Sequence, residues 1–80
     1  MKYNEDAIMF AKELRQEGHT RKFSIKDRGR DGWEVREEQD DLVLKQICYT
    51  DWHRVERALS MFNLQIDELE DAGWVTGMSR

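Results

Sequence analysis

The most regular apolar spacing in the chain runs from Trp52 to Leu69. Trp52, Val55, Leu59, Phe62, Ile66 and Leu69 follow each other in alternating steps of three and four. Those steps place all six on one side of an α-helix, as a continuous seam. Thr50 and Asp51 stand just before it, and an aspartate there accepts from the unpaired N–H groups of a first helical turn. Gly73 ends the element, because glycine takes the left-handed conformation at C′ without steric cost. Counting back from it, Leu69 falls at C3 and Trp74 at C″, the two side chains that meet in a Schellman stop. The segment "VTGMSR", residues 75–80, reads as a flexible C-terminal tail.

Upstream the period shortens to two. In "KFSIK" Phe23 and Ile25 share a face. In "GWEVREE" Trp33 and Val35 point inward while Glu34, Arg36 and Glu38 point outward. "DLVLKQICYT" is rich in β-branched and aromatic residues and makes a third strand. The links "DRGRDG" and "EQDD" are polar turns, too short for a parallel crossover, so the strands form an antiparallel meander. Before them, residues 4–17 predict a helix. Asn4 caps it, Glu5 and Asp6 sit at its positive end, Tyr3 and Ile8 make a hydrophobic staple, and Gly18 stops it. Ala7, Phe10, Ala11 and Leu14 supply its buried stripe. The predicted fold is therefore α+β in the order α-β-β-β-α, with both helices on one face of the sheet and a single domain over residues 1–74.

The third strand changes this picture. Leu42, Leu44 and Cys48 fall on one face, and Val43, Ile47 and Tyr49 on the other, so both faces call for cover. Helices cover one. Met61 and Leu64 lie off the main helical seam and add a second small apolar patch. A chain of 80 residues buries a modest core, and association is a common remedy. Val43, Ile47, Tyr49, Met61 and Leu64 are thus the candidate self-association surface.

Charge narrows the partners. The net charge is −4, which argues against a general nucleic-acid binder. The cations are nevertheless concentrated. Arg21, Lys22, Lys26, Arg28 and Arg30 form a basic segment, followed by an acidic one from Asp31 to Asp41. That basic segment is the candidate nucleic-acid contact of an alternative reading as a regulatory protein.

Catalytic chemistry finds little support. Cys48, Asp51 and His53 are close in sequence, but a thiol nucleophile needs a base within hydrogen-bond reach and a group that lowers its pKa. Here a strand ends and a capped helix begins between them. Cys48 reads as a small buried apolar residue and His53 as solvent-facing. No metal-ligand spacing or cofactor motif is present, so neither metal nor cofactor is expected. One cysteine cannot form an internal disulfide, and the N-terminus lacks signal-peptide character, which predicts a cytoplasmic protein.

The blocks "GWEVREEQD", "YTDWHRVERA" and "LEDAGW" resemble a set of small uncharacterised bacterial proteins, a likeness that implies no particular activity. The predicted element order over residues 4–72 is similar to that of double-stranded-RNA-binding domains. In that family a lysine cluster opens the second helix, whereas this helix opens with Arg54 and Arg57 balanced by Asp51 and Glu56. The reading is a non-enzymatic protein–protein interaction module acting as a homodimer. Binding of nucleic acid through residues 21–30 is the alternative.

Overall fold

In the structure, a computed structural model that describes residues 7–77, the elements are β1 (Ala7–Gln16), β2 (His19–Asp27), β3 (Trp33–Gln39), β4 (Leu42–Tyr49), α1 (Trp52–Asp71) and β5 (Val75–Thr76). The strands form one antiparallel sheet in the order β4-β3-β2-β1-β5, and α1 packs on one face. The α-β-β-β-α order is thereby corrected. There is no first helix between Ala7 and Gln16, and among the described residues a single α-helix serves the core. Asn4, with Tyr3, Glu5 and Asp6, lies outside the described residues.

The physical reason lies in the turn. Gln16 and His19 close a two-residue hairpin through Glu17 and Gly18, both at positive φ, 51° and 84°. Two positive φ values define a type I′ turn, whose twist matches that of paired strands. Instead of stopping a helix, Gly18 completes a hairpin. Leu14 then lands on the helix side and is fully buried, while Ala7 and Ala11 of the supposed stripe are exposed. Most residues of β1 are good helix formers, but pairing along β2 overrides propensity.

The core joins Leu14, Phe23, Ile25 and Val35 of the sheet to Val55, Phe62 and Ile66 of α1. Phe62 is its hub. Its ring meets Phe23 edge-on at 4.9 Å between centroids and stacks on Phe10 at 6.2 Å. Trp33 and Trp52 pack together at one end, 5.2 Å apart.

Both ends of α1 follow from their sequence. Asp51 accepts from the His53 N–H at 3.0 Å. At the other end the Trp74 N–H reaches the Leu69 carbonyl at 2.9 Å, and the Gly73 N–H reaches that of Glu70 at 3.0 Å. With Gly73 at φ 105°, that is the Schellman pair of bonds. The chain then turns back as β5, which pairs Val75 and Thr76 with Arg15 and Leu14. The expected tail is corrected here: Val75 and Thr76 extend the sheet, and residues 78–80 lie outside the described residues. Among the described residues no helix is long and apolar enough to cross a membrane.

Candidate self-association surface

β4 is one edge of the sheet, and its far side has no partner strand among the described residues. Every residue from Leu42 to Cys48 is exposed. Leu42 is 69% exposed, Leu44 54%, Val43 45% and Ile47 36%. An edge strand presents free N–H and C=O groups, and proteins that stay monomeric usually guard such edges with charge, proline or brevity. This one is eight residues long and carries Lys45 as its single charge.

Its register holds a correction. Glu37 pairs with Lys45 but Glu38 pairs with Val43, so Leu44 is the extra residue of a β-bulge. The bulge reverses the alternation. By register, Leu42 joins Ile47 and Tyr49 on the helix side, opposite Gln39, Val35 and Trp33, and Val43 joins Cys48 on the outer side. The expected grouping of Leu42, Leu44 and Cys48 against Val43, Ile47 and Tyr49 does not hold.

Of the five residues expected at this surface, Val43 and Ile47 lie on the open edge. Tyr49 is half-buried against the core and walls a groove. Met61, 53% exposed, lies across that groove on α1; Leu64, 56% exposed, does not line it. The groove, of about 490 Å³, runs between β4 and α1, floored by Val35 and Phe62 and flanked by Lys45, Arg54 and Arg57. None of those three cations makes an ion pair among the described residues. Reading the sequence alone missed Leu42, Arg54 and Arg57 here. The signal was present in an apolar run, Leu42–Leu44, directly after an acidic turn.

That turn, Asp40–Asp41, is a second hairpin of the same kind, with φ values of 52° and 69°. Asp40 secures it across the sheet. Its carboxylate faces the His19 Nδ1 at 2.9 Å and accepts from the Thr20 N–H at 2.8 Å. The His19 contact, then the Thr20 bond, lowers the Asp40 pKa from its ordinary value. Asp41 makes no such bond among the described residues.

The basic segment is dispersed. Arg21 turns to the helix side, where it pairs with Glu37 and lies 5.2 Å over the Phe23 ring. Lys22 and Lys26 occupy the outer face, between Glu13 and Glu38 and beside Glu34. The Arg28 guanidinium stands 3.6 Å from the Glu34 carboxylate, which also accepts from Gln46 and is buried. Arg30 is exposed in the 3₁₀ turn Gly29–Asp31.

Cys48 is exposed rather than buried, and by register sits on the outer face opposite Glu34. His53 lies in the first turn of α1, its side chain 85% exposed and 3.7 Å from Glu56. Cys48 on the outer face and His53 at the groove stand on different elements, and no hydrogen bond joins them among the described residues. Among the described residues no three of His, Cys, Asp and Glu come together to hold a metal ion.

Comparison with protein-family models, with curated proteins and with solved structures finds no match to this chain.

Proposed function

We propose that this chain is a small, non-enzymatic bacterial interaction module that works as a homodimer in the cytoplasm, and that its copies join along β4. The observation that carries the reading is the eight-residue, apolar edge strand with one charge. Addition of a strand to an open edge satisfies its free backbone groups, and side chains on either face supply specificity. A two-fold axis normal to the sheet would pair β4 antiparallel with its own copy. Both helices would then lie on one side of a continuous sheet. The bulge at Leu44 confines regular pairing to the Lys45–Tyr49 half of the strand. A cytoplasmic setting suits the exposed thiol of Cys48, which stays reduced there. The dispersal of the basic segment, with Arg21 turned inward and Lys22 set among carboxylates, favours a protein partner over nucleic acid.

Sedimentation velocity over the micromolar range tests the reading, with Ile47→Lys as the variant. A second lysine at Ile47, added to Lys45, would set like charges against each other across the two-fold axis of the paired edges. The wild-type chain should sediment as a dimer and Ile47→Lys as a folded monomer. A wild-type monomer throughout that range would overturn the proposal.

A further inference from the structure

We infer that the acidic turn of one copy, Asp40–Asp41 with Leu42, docks at the cationic mouth of the groove between β4 and α1 of its partner. This rests on the β4-edge reading and identifies what fixes the register of the two strands. In antiparallel pairing of a strand with itself, the start of each copy lies beside the end of the other. The start of β4 is the Asp40–Asp41 turn and Leu42; its end is Tyr49, followed by Asp51 and the first turns of α1. Pairing confined to Lys45–Tyr49 centres the two-fold axis near Ile47 and so brings the acidic turn to the mouth of the groove.

Three features of the surface fit that placement. The groove carries Lys45, Arg54 and Arg57 without ion-pair partners among the described residues, and the arriving turn carries Asp41, equally without one. Asp51, the acidic residue of the groove, is already committed to the His53 N–H as the helix cap. Leu42 is the most exposed large apolar residue described, and its register sets it on the helix side, where the groove opens. A two-fold normal to the sheet keeps that side common to both copies. The turn is also held ready. Asp40 ties it to His19 and Thr20 of β2, so little conformational freedom is lost when Asp41 and Leu42 engage.

By symmetry the contact occurs twice, which allows a test by exchange of charge. One variant is Asp41→Lys; the other is Arg54→Glu with Arg57→Glu. In either homodimer both contacts become like-charged. In the mixed dimer both contacts are again opposite-charged, one native and one inverted. Dimer dissociation constants are measured on the full chain by sedimentation equilibrium at low salt, with urea midpoints confirming that each variant is folded. Each variant alone should dimerise about tenfold more weakly or worse. The equimolar mixture should recover an affinity close to wild type, and raised salt should weaken wild type and mixture alike. If the double reversal unfolds the helix, Arg57→Glu alone replaces it with the same expected pattern. A wild-type dimer with no recovery in the mixture overturns this docking and leaves the β4 edge standing. A wild-type monomer overturns both. Assemblies larger than two would point to head-to-tail pairing of β4 with the outer edge of β1, and so also contradict the docking.

Discussion

Gly32 shows how tightly single positions tie this sheet together. It sits at φ 90° between the 3₁₀ turn and β3, a conformation that side chains disfavour. A Cβ there would collide with the Tyr49 carbonyl oxygen and stand 3.2 Å from the Thr50 Cα, both backbone atoms with little room to yield. Gly32→Ala should therefore cost more than about 2 kcal/mol, from backbone strain and from displacement of the strand that leads into α1. Urea denaturation checks this, and a loss below about 0.5 kcal/mol, the range of ordinary surface changes, would contradict it. At this scale the sequence was partly readable. "DRGRDG" announces a turn, but nothing in its composition shows that Gly32 passes under the end of β4. The turn at Glu17–Gly18 was harder. Glutamate at positive φ is not a residue that advertises a hairpin, so Gly18 fitted a helix stop equally well.

Among the elements, α1 was the most legible, because its signals are local. A three–four seam, an aspartate cap and a glycine stop all lie within the helix or beside it, and each has its expected partner in the structure. The consequence is unequal tolerance along the helix. Phe62 is 3% exposed and touches two aromatic rings. Phe62→Ala should accordingly cost about 3–5 kcal/mol. That approaches the whole stability such a small core supplies, about 3–5 kcal/mol. The His53 ring stands in solvent. His53→Ala should therefore stay within about 0.5 kcal/mol. Equal losses for the two in urea titrations would show that His53 is held by something its exposure does not suggest. β1 was misread because its identity is settled at a distance. Helix-forming residues are drawn into the sheet by pairing with β2 and by burial of Leu14 under α1. The faces of β4 were misread for a related reason. Alternation within a strand is visible in sequence, but a bulge exists only relative to the neighbouring strand. The extra residue at Leu44 reverses every assignment before it.

For the whole molecule, the sequence indicated apolar residues outside the core, and the fold leaves several of them exposed along β4. They lie at an edge of the sheet more than on a second face. By register the outer face carries Lys22, Lys26, Arg36, Glu13 and Glu38, with Ile8, Val43 and Val75 as scattered exposed apolar residues among them. One helix suffices for the inner face. The longest run of exposed apolar residues is on β4, with Leu42, Val43, Leu44 and Ile47 in the open, beside a groove whose cations lack ion-pair partners among the described residues. The central claim is that a second copy closes this edge. Amide hydrogen exchange of the wild-type chain at two concentrations, one below and one above the dimer dissociation constant, tests it most directly. An unpaired edge exchanges its outward amides quickly and a paired one does not. Amides within Lys45–Tyr49 should become more protected at the higher concentration, while those of β2 stay as they are. Exchange in β4 that is independent of concentration, or new protection confined to the outer edge of β1, would contradict the account.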